Sequence, residues 1–338
     1  MKASVLCPTW GHAAYIGTCI ESIQNQSWQN WELLILDDGS PDDTQAVVAR
    51  YLSDSRIRYT RQDNQGGARL ADHYNALLNL ATGDFVTILE GDDYALPGLL
   101  EAHATGFMQG NHGVSFNQVI VDEGKTNWIS PLAPATDEQK EEFRNEPVGR
   151  ALNRLLKECF IPAQGASIRV DVLKKTGGFQ SVPGLATADY PTWLKLAQVT
   201  RFHFIPEPLA VWRRHENQAT KQKVVPLTEI MVPVLIQTLE TLPEPLKPVV
   251  TLQLSDLKAF WDRRYVEIYY RAGKYKLMVG EWKAGRRYFT ESLSRWPALM
   301  PATRLLSLAG WVLSWFRINM NLVSGLGHRL GKTRPAGR

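Results

Sequence analysis

The chain has 338 residues, 44% hydrophobic and 21% charged, a balance that excludes a disordered protein and allows one large domain with an appendage, or two domains. The net charge of +4 is unevenly spread: no acid follows Glu291, whereas Arg295, Arg304, Arg317, Arg329, Lys332, Arg334 and Arg338 do. The body is therefore mildly acidic, which argues against nucleic acid as its partner, while the tail suits an anionic surface.

Residues 4–7 read as a short strand, followed by a helix over 13–25 with Tyr15, Ile16, Cys19, Ile20 and Ile23 on one side. A second strand, 31–36, ends in Asp37-Asp38-Gly39-Ser40. A helix is expected over 41–52, with Ser40 as N-cap and Pro41 at its start. Residues 56–60 are a third strand, Gly66-Gly67 opens a helix to about Leu80, and 85–89 is a fourth strand. Such alternation predicts βαβ units and a mostly parallel sheet. From 112 to 208, strand and loop signals surround helices near 148–158 and 190–199. Beyond about 225 the pattern is helical, with a hairpin over 261–287 broken at Ala272-Gly273 and Ala284-Gly285.

Cys7, Cys19 and Cys159 show neither metal nor disulfide spacing and imply a reducing compartment. The N-terminus enters a strand without a signal-peptide apolar region, and no apolar run is long enough to span a bilayer. Residues 305–317 are apolar, Trp-rich, free of acids and flanked by arginine. They suit a helix lying in the headgroup plane of an anionic membrane, with packing on the rest of the protein or an oligomer contact as alternatives.

Four strand ends carry the chemistry: Pro8-Thr9-Trp10, Asp37-Asp38-Gly39-Ser40, Asn64-Gln65-Gly66-Gly67 and Glu90-Gly91-Asp92-Asp93. In a parallel sheet these converge on one edge. Glu90, Asp92 and Asp93 repel one another unless a cation or hydrogen-bond donors intervene, and a divalent metal carrying a diphosphate would relieve them. A polar turn closed by Pro97 is the plainer alternative.

The order of these motifs resembles family 2 glycosyltransferases of the GT-A fold. The stretch Gln26-Ser27-Trp28-Gln29-Asn30-Trp31-Glu32-Leu33-Leu34-Ile35-Leu36-Asp37-Asp38-Gly39-Ser40-Pro41-Asp42-Asp43-Thr44 carries most of the likeness, followed by Asn64-Gln65-Gly66, Ala81-Thr82-Gly83-Asp84-Phe85-Val86, and Glu90-Gly91-Asp92-Asp93 with Pro97. The resemblance implies an α/β fold, a mostly parallel sheet flanked by helices, with an α-helical C-terminal extension. It implies a catalytic domain over 1–222, with a nucleotide-binding half (1–110) and an acceptor half (111–222), and a helical region over 223–338. It also implies an inverting transfer from a UDP- or dTDP-sugar to a hydroxyl of a glycan or lipid-linked glycan in cell-surface polysaccharide synthesis. The setting is the cytoplasm or the inner face of the membrane, with peripheral contact through 296–338 and room for an oligomer.

Residue by residue, Asp38 would accept the base imide N–H, Pro8, Thr9 and Trp10 would flank base and ribose, and Arg69 would reach base or phosphates. Asp92, with Glu90 and Asp93, would hold Mn²⁺ or Mg²⁺ on the diphosphate. Asp189, opening a helix after Gly177-Gly178-Phe179, would be the base for the acceptor hydroxyl. Arg213, Arg214 and His215 are candidates for diphosphate contacts, and Trp193 for helix packing or sugar stacking. Departures from the family pattern are Glu90 in place of the first acid of D-x-D, Gly11 for an asparagine, Tyr74 for an arginine and Ala188 for a glutamate. A nucleotidyltransferase on a related sheet, or a non-catalytic nucleotide-sugar-binding relative, are the alternatives. The first usually has a basic glycine-rich loop after strand one, which Pro8-Thr9-Trp10-Gly11-His12 lacks.

Overall fold

In the computed structural model, which describes residues 1–130, 134, 136–215, 224–295 and 301–318, β1 (Ala3–Thr9) and β2 (Trp31–Asp37) are buried at every position. Strands covered on both faces carry such continuous apolar runs. β1 pairs in parallel with β2 on one side and with β4 (Phe85–Ile88) on the other, and β2 carries β3 (Ile57–Arg61) at the sheet edge. Thr9 lies opposite Asp37, so the motif-bearing ends of these two strands are level.

The remaining strands are β5 (Tyr94–Ala95), β6 (Val114–Asp122), β7 (Asn127–Ile129), β8 (Ser167–Arg169) and β9 (Phe202–Arg213). All nine strands among the described residues form one sheet in the order β3-β2-β1-β4-β8-β6-β9-β5, with β7 on β6. It is parallel from β3 to β4 and mixed beyond, because β8 runs antiparallel to both β4 and β6. β5 pairs antiparallel with β9, Tyr94 opposite Val211. That pairing brings the end of β9 beside Asp92 and Asp93.

The helices around this sheet are α1 (Ile16–Gln24), α2 (Thr44–Ala49), α3 (Leu70–Leu80), α4 (Leu99–Gln109), α5 (Asp137–Arg144), α6 (Leu152–Leu155), α7 (Val170–Lys175) and α8 (Asp189–Leu196). α1 buries Ile16, Cys19, Ile20 and Ile23, the face its periodicity gives. α2 begins at Thr44 rather than Pro41, and Ser40 is no N-cap. The Ser40 hydroxyl instead accepts the Gly11 N–H at 2.9 Å, tying the first two strand-end loops together. Asp42 receives the Thr44 N–H at 3.1 Å and the Ala13 N–H at 3.0 Å. The helix expected near 148–158 contracts to α6, and α5 and α7 are helices that the sequence pattern did not mark.

The chain divides into two compact units: residues 1–222 with 233–252, and residues 223–232 with 253–338. α9 (Val224–Glu240) carries Pro233 at that division. The second unit contains α10 (Leu254–Met278), α11 (Trp282–Ser294) and α12 (Pro301–Trp315). The expected breaks at Ala272-Gly273 and Ala284-Gly285 are not breaks, since both pairs lie inside helices. A Cβ on Gly273 would sit 3.0 Å from the Phe289 ring, and one on Gly285 would sit 2.1 Å from Leu277. These glycines let α10 and α11 approach, and the turn falls at Gly280, with φ of +80°. Leu277 and Phe289 are fully buried, with Tyr270, Trp282, Trp311 and Leu313 packed around them.

Candidate active site

The loop after β2 is organised by its two aspartates, which split the work. Asp37 is fully buried and accepts the Ser40 N–H at 2.8 Å and the Tyr59 hydroxyl at 2.6 Å. Asp38 turns the other way, toward the loop after β3. Its carboxylate accepts the Gln62 amide at 2.8 Å and the backbone N–H groups of Gln65 and Gly66 at 2.9 and 3.0 Å, and His73 Nε2 lies 3.4 Å away. Gly66 adopts φ of +83°, which only glycine tolerates easily. Asp38 thus binds the second and third strand-end loops into one wall. Pro8 and Thr9 close β1 beside it, and Trp10 is 51% exposed. Arg69 is exposed and pairs with Asp72 at 2.7 Å.

The fourth strand end is the electrostatic centre. Asp92 is buried, and its Oδ2 lies 3.1 Å from His215 Nε2 and 3.9 Å from His12 Nε2. Burial alone would raise this carboxyl. The His215 hydrogen bond and the nearby His12 outweigh burial and hold it below the usual aspartate range. Burial pushes Glu90 up to about 8, helped by the charges of Asp92 and Asp189 and opposed by the Tyr74 hydroxyl, which donates to it at 3.1 Å. Asp93 is raised well above the usual range by burial, then by Asp92 and Glu90, and it accepts the Arg213 N–H at 2.9 Å. The three acids therefore diverge: Glu90 toward Tyr74, Asp93 toward β9, Asp92 toward the histidines.

The metal implied by the resemblance can be set against this arrangement. Among the described residues, no three His, Cys, Asp or Glu side chains converge as a metal cage. Asp92 nevertheless offers a buried Oδ1 that accepts no hydrogen bond among the described residues, with His215 beside its other oxygen. One or two protein ligands completed by substrate phosphates is a usual arrangement for Mg²⁺. Of the three acids expected to hold the metal, Asp92 is the one with a buried oxygen lacking a partner among the described residues, and His215 stands beside it.

Arg213 and Arg214 also part company. The Arg213 guanidinium donates to the Asp92 carbonyl at 3.0 Å and lies over the rings of Tyr94 and Tyr15, at 4.5 and 5.5 Å. Arg214 turns to Glu123, at 2.8 Å. Tyr15 stacks on His215 with ring centroids 5.2 Å apart. His12, Tyr15 and Tyr94 were not singled out by the sequence as site residues. Tyr15 reads there as part of an apolar helix face, and only its place just before α1, at the mouth of the β1 loop, brings it to His215.

Asp189 occupies the first turn of α8, and the Thr187 hydroxyl donates to it. Its charge helps raise both Glu90 and Tyr74, so it lies within electrostatic reach of those two groups. The turn before it is latched to α3: Asn75 donates to the Phe179 carbonyl at 2.8 Å and accepts the Phe179 N–H at 2.8 Å. A Cβ on Gly178 would lie 2.3 Å from the Asn75 amide oxygen, so the latch needs glycine. Tyr74, one residue before, stacks on Phe179 at 4.8 Å. Trp193 is fully buried and packs within the protein.

The model for Glycosyl transferase family 2 matches residues 4–177, just over half of the chain. The E. coli UDP-Glc:alpha-D-GlcNAc-diphosphoundecaprenol beta-1,3-glucosyltransferase WfgD is 31% identical over 202 residues, 57% of this chain and 68% of WfgD. The Campylobacter jejuni GalNAc(5)-diNAcBac-PP-undecaprenol beta-1,3-glucosyltransferase is 36% identical over 124 residues, 36% of this chain. Coverage of relatives is partial, reaching 40% of the C. jejuni enzyme and 32% of Streptococcus pneumoniae glycosyltransferase GlyG. Staphylococcus aureus TarS with UDP-GlcNAc superposes with a TM-score of 0.59 at 16% identity, covering 93% of this chain and 90% of TarS. Pyrobaculum calidifontis mannosyltransferase PcManGT with GDP-Man and Mn²⁺ gives 0.54 at 16% identity, covering 98% and 88%. At such identities the likeness is one of fold, and the fold is the expected GT-A architecture. With its strand-end motifs, its sheet and the family match all in agreement, the chain belongs to glycosyl transferase family 2.

Proposed function

We propose that this chain is an inverting glycosyltransferase that moves a sugar from a UDP- or dTDP-activated donor to a hydroxyl of a glycan or lipid-linked glycan. The observation that carries the reading is one sheet edge holding Asp92, with a buried oxygen lacking a partner among the described residues, together with His12, His215, Arg213 and the charge of Asp189. WfgD and the C. jejuni relative, both named for action on undecaprenol-linked acceptors, support the acceptor class.

In this reading the loops around Asp38 hold the base, and Pro8, Thr9 and Trp10 flank the nucleoside. Asp92 and His215 would hold the Mn²⁺ or Mg²⁺, which neutralises charge on the diphosphate when bound. Asp189 accepts the proton of the acceptor hydroxyl as that oxygen forms a bond to the anomeric carbon. The bond from that carbon to the diphosphate breaks with its electrons going to the diphosphate, and the configuration inverts. Arg213 and His215 place donors where that negative charge develops. Acting on a lipid-linked acceptor puts the protein at the inner face of the membrane, held peripherally through 296–338. Of that segment, 296–300 and 319–338 lie outside the described residues.

Asp189→Asn tests the reading. It should leave UDP affinity nearly intact and lower turnover about a hundredfold or more, the scale of losing a general base. Near-normal turnover in the folded variant would move the base elsewhere, and a product with retained anomeric configuration would reject inversion.

A further inference from the structure

α12 is built inside out. Ser307 and Ser314 are fully buried, and Gly310 lies on the same side, at helical spacing. Ser307 Oγ lies 3.0 Å from Ser292 Oγ on α11, and Arg286 donates to Ser314 Oγ at 3.1 Å. A Cβ on Gly310 would fall 2.3 Å from the Phe289 ring, so the small residues set how closely α12 packs. The opposite side carries Leu305 at 71% exposure, Leu308 at 46%, Val312 at 41% and Trp315 at 56%, and Phe316 continues the stripe at 72%. A helix of a soluble bundle buries its apolar stripe; this one presents it. A row of large apolar residues at helical spacing is a surface that something else covers.

We propose that this outward face of α12 docks on an anionic lipid bilayer, with the helix lying in the headgroup plane. The inference rests on the peripheral membrane contact proposed above and assigns it to one face. Three observations choose lipid as the occupant. First, α12 has 15 residues, about 22 Å against a hydrocarbon core of about 30 Å, and no helix among the described residues is long and apolar enough to cross a membrane. A short amphipathic helix can lie along the interface instead. Second, the sequence after Glu291 has seven Lys or Arg and no acid. A second copy seated on this face would bring that basic segment against its own like charge, whereas an anionic surface attracts it. Third, cations border the stripe: the Arg286 guanidinium lies 3.4 Å from the Trp315 ring centroid, and the exposed Arg317 follows Phe316. Aromatic rings beside cations are the composition of a headgroup boundary.

The test is flotation of the full chain with vesicles of phosphatidylcholine and phosphatidylglycerol, and with vesicles of phosphatidylcholine alone, at low and high salt. The wild type should float with the anionic vesicles, less at high salt, and less still with phosphatidylcholine alone. The double variant Leu308→Glu with Val312→Glu should reduce the bound fraction by about tenfold or more. Both substitutions fall on exposed positions, and an unchanged helical circular-dichroism melt together with an unchanged UDP-induced thermal shift shows that both units of the variant are folded. Arg317→Glu should weaken only the salt-sensitive part. Equal flotation of wild type and double variant, or no flotation by wild type, overturns the proposal. So does a wild type that is oligomeric by light scattering and becomes monomeric in the double variant, since the face would then be covered by another copy. Flotation does not depend on sugar transfer, so its outcome is separate from that of Asp189→Asn.

Discussion

α1 and α12 carry apolar residues at the same helical spacing and bury opposite sides. In α1 the stripe of Ile16, Cys19, Ile20 and Ile23 lies in the core of the first unit. In α12 Ser307, Gly310 and Ser314 are inside with Trp311 and Leu313 packed beside them, while Leu305, Leu308, Val312 and Trp315 face outward. Two buried polar sites, one in each unit, differ as well. The first leaves a buried Asp92 oxygen without a partner among the described residues, while in the second the buried Ser292 and Ser307 satisfy each other. In each unit the place assigned to a ligand departs from a rule of burial. A buried polar atom without a partner and an exposed apolar stripe are both costly unless something binds there.

The largest expected effect is at the first of these places. Asp92→Ala should lower transfer on the order of a thousandfold, the upper range for removing one electrostatic group at a developing charge. It should also remove the Mn²⁺- or Mg²⁺-dependent part of UDP binding. A variant that binds UDP with undiminished metal dependence would mean that the unpartnered oxygen has no ligand role.

Next comes the core side of α1. Ile20→Ala should destabilise the first unit by about 2–5 kcal/mol, the cost of emptying a packed site, read as a lower denaturation midpoint. Glu32 provides a case in which a buried acid is fully paired. Burial alone would raise its carboxyl, yet hydrogen bonds from Ser4 and Thr82, with Lys2, hold it at about 2 against an ordinary 4.5. A depressed carboxyl stabilises above its unfolded pKa and loses that contribution as pH falls through the folded one. Glu32→Gln should therefore cost about 2 kcal/mol at neutral pH, allowing for solvent screening. The gap between wild type and variant should close as the pH drops from 4.5 toward 2. Urea titrations across that range would show it, and a gap that persisted at the acid end would assign the loss to packing.

The smallest expected effect is the most pointed. Leu308→Ala should change stability by less than about 0.5 kcal/mol, as for a surface position, although the apolar stripe of a helix is ordinarily buried. A loss on the scale of Ile20→Ala would show that the outward face is covered in the isolated protein.

Local chemistry made much of this protein legible. β1, β2 and β4 follow from mostly apolar runs, and their acidic and glycine-rich ends follow from a parallel sheet that collects strand ends on one edge. Asp92, Asp189, Arg213 and His215 were nameable because each stands in a motif of adjacent residues. Pairing between distant segments was not legible. Ser40 looks like a helix cap until Gly11 takes its hydroxyl. Three crowded acids look alike until Tyr74, Arg213 and His215 give each a different partner. Gly273 and Gly285 look like helix ends until Phe289 and Leu277 need the space. Periodicity alone establishes that α12 has two faces. Only tertiary structure decides which is buried, because burial depends on what a neighbouring helix offers, and α11 offers Phe289 and Ser292, which require small residues opposite.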